Sequence, residues 1–136
     1  MGPDTEMMAP VERIRRFMQT GDVADLADAF EPRGAVIIEN FPPYLFAGDE
    51  VVSRWRDGFR AHAASHQLEQ LQAEFGPAED FDRRDPDLAF FTLPTRWTGR
   101  SDGRAFSETG GWAFVLVRVS GAWRVRSYAW AVVERS

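Results

Sequence analysis

Apolar residues in the first part of the chain recur at the spacing of an α-helix. Ile14 and Met18 share one face with apolar neighbours at intervals of three and four residues. Pro10 suits the first turn of a helix and Gly21 suits the position after its end, so we predict a first helix between them. Residues 1–8 precede this pattern and are expected to form a flexible tail.

Two further helical stripes and one strand follow. The segment "VADLADAF" after Asp22 places its apolar residues on one face and predicts a short second helix. The segment "EVVSRWRDGFRAHAASH" carries Trp55 and Phe59 on an apolar stripe and predicts a third helix, capped by Gly48 or Asp49. The β-branched run "AVII" between them predicts a strand that ends before the double proline.

The second half of the chain alternates between apolar and polar residues, which is the period of a β-strand. Four long strands are predicted, the first with an alternation that begins at Leu71. The dipeptides Asp102-Gly103 and Ser120-Gly121 suit two-residue hairpin turns. The strands are therefore expected to form an antiparallel meander.

The hairpin turns predict the register of the strands, and the register decides which face each side chain occupies. Trp97 is predicted opposite Glu108, and Phe114 opposite Ser127. One face of the sheet then collects the residues expected to face the core: Phe91, Leu93, Trp112, Phe114, Leu116, Trp123 and Val125.

The other face of the predicted sheet combines apolar, aromatic and arginine side chains. Such a mixture is typical of a protein interface. We therefore predict a homodimer through this face, with these residues at the interface: Val115, Val117, Arg124, Arg126, Tyr128 and Trp130.

The composition is that of one folded domain. The chain has 136 residues, of which 44% are hydrophobic, enough for a sizeable core. Its formal net charge of −5 disfavours nucleic acid and anionic membrane surfaces as partners. No apolar run is long enough to span a bilayer and the first residues do not have the pattern of a secretion signal, so a cytoplasmic protein is expected.

Missing residue types exclude several kinds of chemistry. The chain has no cysteine, so a thiol nucleophile, a disulfide and a thiolate metal site are excluded. All 16 basic residues are arginine, which excludes a Schiff-base lysine and a P-loop lysine. No dinucleotide-binding fingerprint is present, and no cofactor is expected.

Three segments, taken in order, resemble the nuclear transport factor 2-like superfamily, which includes SnoaL-like and ketosteroid-isomerase-like proteins. They are "GDVADLADAFEPRGAVII", "FAGDEVVSRWRDGF" and "GAWRVRSYAWAV". The resemblance implies one SnoaL-like domain over residues 1–136 with an α+β fold. That fold is a cone-shaped half-barrel in which three N-terminal helices pack on a curved, mostly antiparallel sheet. It also implies an apolar pocket and dimerisation through the sheet.

The resemblance also gives an expected pocket. Ile38 matches the position of the catalytic aspartate in ketosteroid isomerases, and Asn40 follows on the same face, so Glu39 is expected to point the other way. The first helix and the inner strand lack the tyrosine and the acid of those enzymes, so activity of that type is not expected. The predicted ligand-binding residues are Ile14, Phe17, Ile38, Asn40, Tyr44, Trp55, Phe59, Phe91, Leu93, Trp112, Phe114 and Ala129.

Five residues are weaker candidates for catalysis. Histidine is the side-chain type whose unperturbed pKa lies near 7, so His62 and His66, four residues apart, are the best general-base candidates. Without a third ligand, no metal site is predicted. Asn40 either binds a ligand or caps the strand end, and Tyr44 either covers the pocket or anchors its loop. Glu108 either acts as an acid or pairs with an arginine.

These observations predict a protein that binds a small hydrophobic molecule, with no specific activity assigned. Two alternatives remain open. One is a non-catalytic homodimerisation domain. The other is an isomerase, dehydratase or hydrolase that acts on a small apolar substrate with a non-standard set of acid and base residues. The sequence does not decide whether the cone is hollow or filled by its own side chains.

Overall fold

The computed structural model describes residues 2–136, apart from the side chain of Arg84. Over this range the chain forms two α-helices, one short 3-10 helix and seven β-strands. The helices are α1 (Thr5–Thr20) and α2 (Val51–Ser65), and the 3-10 helix is Val23–Leu26. The strands are β1 (Val36–Ile38), β2 (Leu45–Phe46), β3 (Glu69–Phe75), β4 (Glu79–Asp85), β5 (Leu88–Ser101), β6 (Arg104–Val119) and β7 (Ala122–Arg135).

Helix α1 begins earlier than the predicted start at Pro10. Asp4 caps it, because a side-chain oxygen of Asp4 accepts a hydrogen bond of 2.9 Å from the backbone N–H of Met7. Met7 is buried, so residues 5–8 belong to the helix and do not form a flexible tail. The predicted end is confirmed, since Gly21 adopts the left-handed conformation with a φ of 78°.

The predicted second helix is wrong, because only the 3-10 helix Val23–Leu26 forms there. Asp22 caps this turn as expected, accepting a hydrogen bond of 3.0 Å from the backbone N–H of Ala24. None of the residues in the turn is buried, however, so no packing offsets the cost of starting a longer helix. The chain becomes extended at Ala27, and Phe30 then reaches the core. The fold therefore has two main helices and not three.

Helix α2 confirms the predicted third helix, and Trp55 and Phe59 on its apolar stripe are buried. The predicted cap at Gly48 or Asp49 is wrong, because Glu50 occupies the N-cap position and its side chain makes no capping hydrogen bond. Within residues 2–136, no helix has both the length and the apolar character that crossing a membrane requires.

The strands form one curved, mixed sheet in the order β2-β1-β7-β6-β5-β3, and β4 pairs with β5 outside this path. Strands β1 and β7 are parallel, and the other pairs are antiparallel. The sequence predicts β3 and the meander β5-β6-β7 but misses β4. The reason is composition, because "EDFDRRD" contains one apolar residue, Phe81, and no alternation.

Both predicted hairpin turns are confirmed. Asp102 and Gly103 have φ values of 52° and 80°, and Ser120 and Gly121 have 52° and 81°. Two consecutive positive φ values are what a type I′ turn requires. The residues predicted to face the core are all buried: Phe91, Leu93, Trp112, Phe114, Leu116, Trp123 and Val125.

A β-bulge in β7 breaks the register that the sequence predicts. Leu116 pairs with Val125, but the preceding residue Val115 pairs with Ser127. Arg126 is therefore an extra residue on β7 without an opposite partner on β6. The side chains from Ser127 to Val132 consequently lie on the face opposite to the predicted one. A second shift of register leaves Val133 without a partner, since Gly110 pairs with Val132 and Thr109 with Glu134.

This change moves two aromatic residues into the interior. Tyr128 and Trp130, predicted on the outer face at a dimer interface, are buried on the inner face. Phe114 faces Tyr128 and not Ser127. Ala129, predicted to line the pocket, lies on the outer face, so the prediction for these three residues of β7 is wrong.

Gly110 lies where β6 approaches β7 too closely for a side chain. A Cβ atom there would be 2.1 Å from the backbone oxygen of Ala131, whereas at Gly111 the nearest atom, Cγ2 of Thr92, is 3.5 Å away. We expect Gly110→Ala to destabilise the protein by about 1–3 kcal/mol or more, because the strands must separate. Gly111→Ala is the matched control. Denaturant unfolding measures both, and equal free energies of unfolding would contradict the prediction.

Candidate functional site

The chain directs Glu39 into the interior immediately after β1. Ile37 is buried and pairs with Tyr128, whereas Ile38 is 45% exposed. Because side chains alternate along extended backbone, Glu39 returns to the inner face, and only 5% of it is exposed. The prediction that Ile38 points inward and Glu39 outward is therefore wrong.

Two aromatic side chains donate hydrogen bonds to the Glu39 carboxyl group. Oε2 of Glu39 accepts one from Nε1 of Trp55, at 3.0 Å, and one from the hydroxyl group of Tyr128. Burial raises the pKa of Glu39 from the ordinary value of 4.5 to about 7, and these hydrogen bonds offset only part of the rise. Near neutral pH the group therefore populates both its ionised and its protonated form.

Tyr128 remains a hydrogen-bond donor over the physiological range of pH. Burial raises the pKa of its phenol well above the ordinary value of 10, and the negative charge of Glu39 raises it further. The hydroxyl group therefore keeps its proton when Glu39 ionises.

A cavity of about 510 Å³ opens beside Glu39. This volume lies in the range of sites that bind small molecules. Apolar and aromatic side chains form most of its wall, and several polar groups lie among them. The lining residues are Met18, Glu39, Asn40, Phe41, Phe59, His62, His66, Leu68, Leu71, Trp97, Ser101, Phe106, Glu108, Trp112, Trp130, Arg135 and Ser136.

Glu108 forms an ion pair in the cavity wall. Its Oε2 accepts a hydrogen bond of 2.9 Å from Nε of Arg135. Its Oε1 accepts hydrogen bonds from Nε1 of Trp130, at 3.1 Å, and from Nδ2 of Asn40, at 3.3 Å. Of the two alternatives predicted for Glu108, pairing with an arginine is therefore the one observed. The amide of Asn40 lies in the wall, where it contacts Glu108.

His62 and His66 line the cavity from the end of α2. Their ring centroids are 4.7 Å apart, and the His62 ring stacks on Phe41 at 5.1 Å. Burial and the neighbouring His66 lower the pKa of His62 from 6.5, so His62 is largely uncharged at neutral pH. Among residues 2–136, no group of three or more histidine, aspartate or glutamate side chains is arranged to hold a metal ion.

Only part of the predicted ligand-binding set lines the cavity. Asn40, Phe59 and Trp112 do so, whereas Tyr44 is 55% exposed in the loop before β2 and does not. Ile38 also lies outside. The other predicted residues of the helices and inner strands are buried in the core without lining the cavity: Ile14, Phe17, Trp55, Phe91, Leu93 and Phe114.

Glu39 is the most important residue that the sequence interpretation misses. Four consecutive apolar residues precede it in "AVIIENF", so no alternation indicates which face it occupies. One signal is present: Glu39 directly follows the apolar run and only Asn40 separates it from Phe41, and a carboxylate among apolar residues is an uncommon pattern that indicates a buried acid. Trp97, Trp130 and Arg135 are also missing from the predicted ligand-binding set.

The pKa of Glu39 predicts how the stability of the protein depends on pH. The folded protein binds more protons than the unfolded chain between pH 4.5 and about 7, so the free energy of unfolding falls as the pH rises through this window. Glu39→Gln keeps a hydrogen-bond acceptor but cannot ionise. We expect this variant to lose that fall, so that its free energy of unfolding gains roughly 3 kcal/mol on that of the wild type between about pH 5 and about pH 8.

Denaturant unfolding from about pH 5 to about pH 8 measures this difference. Glu74→Gln, at an exposed position of β3, is the matched control and should follow the wild-type curve. The contribution of His62 is common to all three proteins and cancels in the comparison. Parallel curves for the wild type and Glu39→Gln would contradict the assignment.

Solved structures with similar folds are known. A nuclear transport factor 2-like superfamily protein from Salmonella enterica serovar Typhimurium has a TM-score of 0.75 and 12% identity, over 95% of this chain and 89% of the other. A proposed scytalone dehydratase from Novosphingobium aromaticivorans has a TM-score of 0.74 and 12% identity, over 96% of this chain and 86% of the other. A hexachlorocyclohexane dehydrochlorinase, LinA type 3, from Novosphingobium barchaimii has a TM-score of 0.75 and 7% identity, over 96% of this chain and 86% of the other.

At these identities the similarity shows a common fold and not a common activity. No protein of curated function matches the chain by sequence. The model of the SnoaL-like domain matches residues 4–129, which is most of the chain. The protein therefore belongs to the SnoaL-like domain family and has the α+β fold of the nuclear transport factor 2-like superfamily.

Proposed function

We propose that the protein binds a small, mostly apolar carbonyl compound in the cavity and transfers a proton at one of its carbon atoms, with Glu39 as the general base. One observation carries this proposal: a buried carboxyl group lines an apolar cavity and is held there by Trp55 and Tyr128. The reaction is an isomerisation if the proton returns to another carbon, and an elimination if a leaving group departs.

The environment of Glu39 suits proton abstraction from carbon. With a pKa of about 7 its carboxylate is a stronger base than an ordinary glutamate, yet a large fraction is ionised at neutral pH. Trp55 and Tyr128 both donate to this carboxyl group. Such contacts fix the direction of the carboxyl group before the substrate arrives.

The proposed step is a transfer from carbon to oxygen. The proton on the carbon next to the carbonyl moves to Glu39, and its electron pair moves onto the carbonyl oxygen to give an enolate. Reprotonation of the enolate, or departure of a leaving group, then completes the reaction. Phe59, Trp97 and Trp112 exclude water from this part of the cavity, which strengthens the electrostatic interactions in it.

The names of two similar structures agree with this reaction class. One is a dehydrochlorinase and the other a proposed dehydratase, and both names denote eliminations. At 7% and 12% identity they assign no residue of this chain. The proposal rests on the position of Glu39.

Hydrogen–deuterium exchange at carbon tests the proposal without knowledge of the natural substrate. The probe is 2-tetralone, a neutral ketone with acidic C–H bonds, followed by NMR in deuterium oxide with and without protein. We expect protein-catalysed exchange whose rate rises with pH through about 7, as Glu39 ionises. Glu39→Gln should slow it by roughly 100-fold or more, because the general base is lost.

Glu74→Gln is again the control, and its exchange rate should equal that of the wild type. Exchange that persists unchanged in Glu39→Gln would exclude Glu39 as the base. If the wild-type protein catalyses no exchange of 2-tetralone or of related ketones that carry an aromatic ring, proton transfer at carbon is the wrong reaction class.

We also propose that two copies associate through the outer face of the sheet. That face exposes Phe90, and Val115 and Val117 beside it are only partly covered. A contiguous apolar surface of this kind favours association. Tyr128 and Trp130 take no part, because they are buried on the inner face.

Two arginines of the predicted interface are paired within the chain. Arg124 lies 3.4 Å from Asp28 and Arg126 lies 3.4 Å from Glu31, so their charges need no partner from a second copy. Light scattering should give twice the chain mass of 15.4 kDa, and Val117→Asp should restore the single-chain mass. A wild-type mass of one chain at high protein concentration would disprove the dimer.

A further inference from the structure

A guanidinium group with unused donors lies in the cavity wall. Arg135 is 60% exposed, and its Nε donates to Oε2 of Glu108 at 2.9 Å. Within residues 2–136, its two terminal nitrogens have no hydrogen-bond partner. Terminal guanidinium N–H groups form a planar fork that matches the two oxygens of a carboxylate.

The sheet holds this guanidinium group in place. Glu108 and Arg135 are direct partners on neighbouring strands β6 and β7, so their side chains share a face. Glu108 is only 16% exposed, and it also accepts hydrogen bonds from Trp130 and Asn40. Because Glu108 has several partners and occupies only Nε of Arg135, it orients the guanidinium group and leaves the fork available.

His62, which also lines the cavity, adds little positive charge at neutral pH. Burial, His66 and Arg135 all lower the pKa of His62, so its imidazole is largely neutral there. A neutral imidazole offers one N–H donor to a ligand oxygen. Arg135 is therefore the lining residue that supplies a fixed positive charge.

The buried part of the cavity has the opposite character. Phe59, Trp97 and Trp112 are all buried and line it with aromatic surface. A ligand that satisfies both parts must carry a flat apolar body and an anionic group at one end.

We propose that the natural ligand is an amphipathic carboxylic acid whose aromatic or alicyclic body packs among Phe59, Trp97 and Trp112 and whose carboxylate binds the terminal nitrogens of Arg135. This inference deepens the proposed function and rests on it in one respect, that the cavity is the substrate site. The substrate is then an oxo acid, with the reacting carbon near Glu39 and the carboxylate at the exposed part of the wall.

Matched pairs of acids and amides test the inference. The probes are benzoate, 2-naphthoate and 4-phenylbenzoate, each compared with its primary amide by isothermal titration calorimetry near pH 7. Each amide keeps the apolar body, loses the charge and replaces one acceptor oxygen by an NH2 donor. For the pair that fits best, we expect the carboxylate to bind about tenfold more tightly or better, since charge-assisted hydrogen bonds to arginine are strong.

Variants distinguish the effect of the Arg135 guanidinium group on binding from the effect of the Glu108 charge. Arg135→Gln alone leaves the Glu108 carboxylate uncompensated, which would itself repel an anion. The decisive comparison is therefore Glu108→Gln against the double variant Glu108→Gln/Arg135→Gln, because both lack that carboxylate. We expect the double variant to bind the acid roughly tenfold more weakly and to bind the amide equally well.

Arg16→Gln is the matched control. Arg16 is 50% exposed and pairs with a half-buried carboxylate, Asp25, but it does not line the cavity. Its loss should leave the affinities for acid and amide unchanged. A structural effect of removing any exposed, paired arginine would show in this variant as well.

The outcomes distinguish this inference from the proposed function. Equal affinities for acid and amide, or equal losses for both on removal of Arg135, would overturn carboxylate recognition while the cavity remains a binding site. No binding of any probe would overturn both the inference and the proposal of a ligand cavity. Failure of the 2-tetralone exchange alone, with acids still preferred, would overturn the proton transfer and leave the ligand class standing.

Discussion

A buried carboxyl group joins the parts of the fold that form the cavity. Glu39 follows β1, Trp55 lies on α2 and Tyr128 lies on β7, and both aromatic side chains donate to the same oxygen of Glu39. A carboxyl group in an apolar interior is costly unless it is hydrogen-bonded or protonated. The arrangement therefore requires all three elements in register. The packing that forms the core also raises the pKa of Glu39, so the chemistry of this group follows from its burial.

The positions of two of these donors, Tyr128 beside Glu39 and Trp130 beside Glu108, depend in turn on one extra residue in β7. The β-bulge at Arg126 turns Tyr128 and Trp130 inward. A regular β7 would direct both to the outer face. Glu39 would then lose the Tyr128 hydroxyl, and Glu108 would lose the Trp130 indole donor. The bulge thus sets both polar centres of the cavity, in keeping with the frequent occurrence of bulges beside functional sites.

The sequence predicts those features of the fold that depend on local signals. The turns at Asp102 and Ser120 and the alternation of β3, β5 and β6 are such signals, and the resemblance to SnoaL-like proteins is confirmed by the family match. The second helix fails because its stability would depend on packing that does not form. The site is less predictable. The orientation of Glu39 depends on the parallel pairing of β1 with β7, and the nearby residues indicate it only through a carboxylate that follows an apolar run. The orientation of Tyr128 depends on the bulge, which leaves no pattern in the nearby residues.

The proposed chemistry of the cavity depends on one physical property: Glu39 is a buried acid–base group and not a solvated carboxylate. The most direct measurement is the pH titration of the Glu39 carboxyl carbon by NMR in the folded protein, with Glu39→Gln to assign the resonance. We expect a midpoint of about 7. A midpoint near the ordinary value of 4.5 would show a solvated carboxylate and would contradict both the burial and the proposed role.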